Sequence, residues 1–144
     1  MNSRLKIIFG TGIGLIYLSS LTMECYLVDG SASIGSFGLI ALLLGWLNSN
    51  LIALIWMANP LLISGLLFFL FSKKSKLALI LSSIASVLAI SFTQIDEIIK
   101  DEAGNVGEIT EYLLGYWLWI TAIFLLTIIL IINRIFENKT VHNS

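Results

Sequence analysis

A chain of 144 residues, 58% hydrophobic and only 12% charged, with a mean hydropathy of +0.97, does not have the composition of a water-soluble domain. Soluble domains carry about 25% charged residues, and a fold of this length has too little interior to hide so much apolar surface. The net charge of −1 conceals an asymmetry along the chain, and the single Cys25 excludes an intramolecular disulfide or a cysteine-based metal site. The expected fold class is therefore all-α, a polytopic membrane helix bundle forming one domain over residues 1–144.

About 20 apolar residues cross the ~30 Å hydrocarbon core. The first such run is residues 7–27, preceded by Arg4 and Lys6. A cleaved signal peptide is the competing reading of this segment, with Ser31-Ala32-Ser33 as the small-residue site. The apolar run is long for a signal sequence, so it is kept as a helix. The stretch Phe37–Phe71 would be a helix of roughly 52 Å at 1.5 Å per residue, too long for one span and too short for two. It divides at Asn48-Ser49-Asn50, residues that cap helices. A short interfacial or re-entrant helix over 36–47 then precedes a span over 51–71. A rival division starts a half-helix at Asn59-Pro60, with proline at its first position. The remaining spans are 77–93 and 112–132, separated by an acidic outer loop over 94–111.

Under this four-span reading Arg4, Lys6, Lys73, Lys74, Lys76, Arg134 and Lys139 fall on one side and only Lys100 on the other. Cytoplasmic loops collect Lys and Arg, so both termini are expected inside a bacterial inner membrane. Acidic residues sort oppositely, with only Glu137 inside. Gly10 and Gly14 form a GxxxG in the first helix, and Ala78, Ser82 and Ser86 repeat every four residues in the third. Such stripes allow close helix approach, and predict that helices one and three touch. Tyr112, Tyr116, Trp117 and Trp119 crowd the start of the fourth helix, and Trp46 lies near the outer end of the second, as an aromatic belt would.

Trp56-Met57-Ala58-Asn59-Pro60 is the candidate functional or structural polar kink. Proline removes one donor and clashes with the carbonyl four residues back, that of Trp56. Asn59 then needs partners, and the Trp56 carbonyl, Tyr17, Thr121 and the serines of helix three are available. The site reads either as an interhelical clasp or as a hinge and ligand site of the kind unwound helices form in transporters. In the outer loop, Asp96, Glu97, Asp101 and Glu102 are candidates for interaction with a partner. They read as a solvated acidic surface or, alternatively, as oxygen ligands for a divalent cation, although their spacing matches no calcium loop. Glu108 and Glu111 suit the N-terminus of the fourth helix.

Several activities are not expected. The only histidine, His142, lies in the C-terminal tail, and no lysine or histidine within a span can activate Ser64. No acid occupies the middle of a span, which counts against proton-coupled exporters of similar size. No enzyme activity, cofactor or metal is expected, and no basic patch points to nucleic acid. The W-x-A-N-P stretch at Trp56–Pro60 and the G-Y-x-L-W stretch at Gly115–Trp119 resemble small bacterial four-helix inner-membrane proteins. That resemblance implies the architecture and brings no site residues. The expected partners are the lipid bilayer and another membrane protein or a second copy. The expected role is a non-enzymatic accessory protein, such as an immunity protein against a membrane-active toxin. The alternatives are a small oligomeric transporter or channel, or a holin-like pore former.

Topology is testable with single cysteines at positions 30, 49, 74 and 104 in a Cys25→Ala background. Position 74 is expected to label only from the cytoplasmic side and the other three only from outside; label reaching position 74 from outside would overturn the orientation.

Overall fold

The computed structural model describes residues 2–48, 50–72, 75–99 and 103–142, with the side chains of 50 and 137–142 left aside. It is mostly helical: α1 (Ser3–Leu21), α2 (Gly38–Leu44), α3 (Asn50–Trp56), α4 (Ala58–Phe71), α5 (Ser75–Ser91) and α6 (Leu114–His142). Three short strands, β1 (Tyr26–Val28), β2 (Glu97–Ile99) and β3 (Val106–Tyr112), accompany them. Four helical segments are long and apolar enough to cross a membrane: Ser3–Leu21, Leu51–Phe71, Ser75–Gln94 and Leu114–Phe136. Between 22% and 39% of the residues in these segments are fully buried within the protein, and large apolar side chains such as Ile7, Leu54, Ile80 and Ile128 stay exposed on them. A water-soluble bundle would instead turn a polar face outward.

Each element has a local cause. Asn2 caps α1, its Oδ1 accepting from the Arg4 N–H at 3.2 Å. The helix stops at Leu21, not residue 27, because the Thr22 N–H and hydroxyl both turn back to the Ser19 carbonyl. Residues 26–28, apolar enough to extend a span, form β1 instead. The short helix begins at Gly38 and ends in a tighter turn, Gly45–Leu47. Helix resumes at Asn50, and Ser49 of the expected break lies outside the described residues.

The four long segments close in a ring: α4 packs along α5, α5 along α6, α6 along α1, and α1 against α4. Helices one and three were expected to touch and are not packed as neighbours. The Gly10 and Gly14 face of α1 meets Leu70 and Leu66 of α4. The α5 stripe Ala78, Ser82, Ala85, Ser86 and Ala89 is buried, and a Cβ added to Gly65 of α4 would lie 3.5 Å from the Ala78 carbonyl oxygen. Ser86 Oγ and Thr127 Oγ1 share a hydrogen bond at 3.0 Å between α5 and α6.

The expected solvated loop over 94–111 instead supplies β2 and most of β3, two of the three strands of an antiparallel sheet of order β1-β3-β2. Ile95 and Ile98 are buried beneath it, which supplies the driving force that a charged loop would lack. Glu108 and Glu111 belong to β3 and not to the fourth helix, which starts at Leu114, and Tyr112 ends the strand. Asp29 and Gly30 both have positive φ (52° and 73°), forming a two-residue turn closed by paired Val28–Ser31 backbone bonds.

The chain between α1 and β1 runs through two glycine gaps. The Gly38 N–H donates to the Met23 carbonyl at 2.8 Å, and the Gly115 N–H to the Glu24 carbonyl at 3.0 Å. A Cβ on Gly38 would collide with the Ser20 carbonyl oxygen, and one on Gly115 would lie 2.6 Å from the Glu24 oxygen. Gly115→Ala is expected to cost about 1–3 kcal/mol through overpacking. Gly12→Ala, where a Cβ meets nothing within 4 Å, is expected to be neutral or to gain up to ~1 kcal/mol. Denaturation of the detergent-solubilised protein by SDS, followed by circular dichroism, distinguishes them; equal losses would refute the glycine-gap account.

Candidate functional site

The helix breaks at Met57, and Pro60 falls in the first turn of α4, where missing N–H groups leave no interior bond unmade. Asn59 is buried beside it, 8% exposed. Its Oδ1 accepts from the Tyr17 hydroxyl of α1 at 3.1 Å and from Trp119 Nε1 of α6 at 2.9 Å. Its Nδ2 donates to the Trp56 carbonyl at 3.1 Å. One amide thus joins α1, α6 and the end of α3, using three of its four bonding positions.

Tyr17 and the Trp56 carbonyl were legible as partners. Thr121 instead donates to the Trp117 carbonyl of its own helix, and Ser82 and Ser86 bond within α5 and to Thr127. Trp119 was missed because it reads as one more belt aromatic. The available signal was its indole N–H, which needs a partner wherever it is buried.

Trp56 extends the clasp to α2. Its Nε1 donates to the Leu42 carbonyl at 2.7 Å, and its ring fills the space over Gly45, where a Cβ would come within 2.8 Å. Beneath α2 lies a cavity of about 770 Å³ walled by α2, α3, the sheet, and the ends of α5 and α6. Its lining is dominated by apolar residues such as Ile40, Leu42, Ile52, Ile55, Phe92 and Ile98, with Asn59 and Trp119 also contributing. A ring cluster seals the side towards α5 and α6: Tyr26, Tyr112 and Tyr116 each lie within 5.8 Å of Phe92, centroid to centroid.

The titratable groups here favour neutral forms. Burial pushes the Cys25 thiol up to about 11, so it stays protonated and poorly nucleophilic near neutral pH. Tyr26 is raised by burial and then by Cys25, and Tyr112 by burial and then by Asp96. Both phenols therefore remain donors, Tyr26 to the Gly35 carbonyl and Tyr112 to the Phe92 carbonyl, each at 3.0 Å.

The acidic candidates lie elsewhere. Asp96 and Glu97 are exposed at the start of β2, where Glu97 pairs across from Glu108. Asp101 and Glu102 lie outside the described residues. Among the described residues, no three His, Cys, Asp or Glu side chains gather as metal ligands would. Compared with known proteins, the chain matches no family model, no curated protein and no solved structure.

Asn59→Leu strands the Tyr17 and Trp119 donors and is expected to lower stability by about 1–3 kcal/mol. Tyr17→Phe, which leaves Asn59 two partners, is expected to cost about 0.5–1.5 kcal/mol. SDS titration of helicity reads both, and a wild-type midpoint for Asn59→Leu would refute the clasp.

Proposed function

We propose that this is a four-span integral protein of a bacterial inner membrane, with both termini cytoplasmic, that acts by non-covalent binding and not by catalysis. Length and hydropathy of the four helices support the spans. Their polarity supports the orientation. Arg4, Lys6, Lys76 and Arg134 belong to the helix ends away from the sheet, whereas Glu24, Asp29, Asp96, Glu97, Glu108 and Glu111 lie at the sheet end.

The observation that carries the binding half is the sheet end itself. It is a braced platform with exposed Asp29, Glu97, Glu108 and Glu111, set over a cavity whose one thiol is held protonated by burial. Such a platform suits recognition of a basic partner, since complementary charge steers association. The narrower form proposed is an accessory protein that protects its host from a membrane-active toxin. A transport pathway through the Asn59-Pro60 break is the less favoured reading, because opening it requires Asn59 to release Tyr17 and Trp119 together.

Cells deleted for the gene are expected to become sensitive to a toxin encoded in the same gene neighbourhood. Resistance should return with the wild-type chain and not with Glu97→Lys/Glu108→Lys. Unchanged sensitivity of the deletion strain overturns the protective role, and full protection by the charge-reversed chain takes the docking face off the sheet.

A further inference from the structure

We propose that the cavity beneath α2 is a binding site for one hydrocarbon tail of a membrane lipid, which enters sideways from the lipid around the spans. The proposal rests on the membrane reading above and adds a ligand to it. The wall chemistry selects the class of guest. Polar groups that would greet a polar molecule are already bonded within the protein: the Tyr26 hydroxyl to Gly35, Trp56 Nε1 to Leu42, Trp119 Nε1 to Asn59, and the Tyr116 hydroxyl to Ala89. Ordered water needs about 2–4 polar partners per molecule, and an apolar cavity without them stays dry.

Size and mouth narrow the guest further. The volume of about 770 Å³ falls in the range of ligand sites, roughly 300–1,000 Å³. The lining includes Ile34, Leu44, Leu47 and Ile99, which are also 84%, 53%, 60% and 42% exposed, so the rim itself is apolar. That rim continues onto exposed Leu51 and Leu54 of α3, which packs beside the Gly45–Leu47 turn. Exposed apolar side chains of a span thus stand beside the mouth of the cavity, where Asn48 is the one polar side chain among the described lining residues of that turn. Along α3 and α4 the lining reaches from Ile52 to Asn59, a depth of roughly 10 Å by helix rise. That places the cavity in the outer third of a ~30 Å hydrocarbon core, where tails are the solvent.

The test uses the full chain reconstituted in vesicles of a phospholipid bearing a diazirine in its acyl tail, with adducts mapped by peptide mass spectrometry after illumination. Adducts are expected on Ile52 and Leu42, as well as on Leu67, which is 51% exposed on the outer face of α4. Ala41→Phe, which puts a ring into the cavity from its α2 wall, should reduce the Ile52 and Leu42 adducts several-fold and leave Leu67 unchanged. Leu44→Asp/Leu47→Asp, confined to exposed rim positions, should do the same without touching the core. Labelling of Leu67 without Ile52 and Leu42 overturns the tail site alone. Absence of label at Leu67 overturns the membrane reading first. A disulfide-linked dimer formed in high yield by Leu44→Cys in a Cys25→Ala background would show a second copy seated at the mouth, and would also overturn the proposal.

Discussion

An amide among apolar helices has to be bonded on the spot, since leaving it unpaired costs roughly 2–7 kcal/mol. Asn59 meets that requirement in three directions, and much of the molecule follows. Pro60 obliges the helix to restart, the restart frees the Trp56 carbonyl, and Asn59 Nδ2 takes it. Its Oδ1 holds α1 through Tyr17 and α6 through Trp119. With the Trp56 backbone fixed, its indole becomes the seat for Leu42 and Gly45 of the short helical segment. The break, the clasp, the seating of α2 and the cavity below it form one connected chain of consequences.

The sheet end is built on a second constraint, the satisfaction of backbone groups where helices stop. The last carbonyls of a helix have no partner within it. At the end of α5 two tyrosines supply them, Tyr116 donating to Ala89 and Tyr112 to Phe92. Residues 23–25, leaving α1, bond on both sides: Met23 accepts from Gly38, Cys25 donates to Ser36 and accepts from Leu113, and Glu24 accepts from Gly115. This backbone crossbar requires glycine at 38 and 115, since a Cβ at either would occupy the space of the crossing chain. It also gives three-residue strands the support they lack alone, because isolated short pairings are marginal in water.

Legibility followed the physics of each signal. The long apolar segments stood out because hydrophobicity over some twenty residues is additive and local. The Asn59-Pro60 kink was visible because both residues act on their own backbone. The strands were hidden: Tyr26-Leu27-Val28 simply continues the hydropathy of α1, and a short apolar run does not tell strand from helix. Asp29-Gly30 was the missed clue, a dipeptide suited to a two-residue hairpin turn. In β3, buried Gly107 and half-buried Ile109 alternate with exposed Glu108 and Thr110, a period-two pattern masked by the charge of the segment. The acidic candidates Asp96 and Glu97 were legible as exposed charge, while their place on a strand was not.

By itself the sequence determined the helical class, four apolar segments of spanning length, a division of the long apolar stretch near residues 48–50, and a polar kink that had to be satisfied. These rest on composition and on neighbours close in the chain. Which helices touch, which donors reach Asn59, and what the glycines at 38, 45 and 115 make room for were decided only in three dimensions. The GxxxG of α1 advertises that a backbone can come close but not whose side chain fills the gap, and here Leu70 and Leu66 of α4 fill it. The cavity is the extreme case. No residue of its wall announces an opening, because an opening is a property of how α2, the sheet and the bundle fail to fill the space between them.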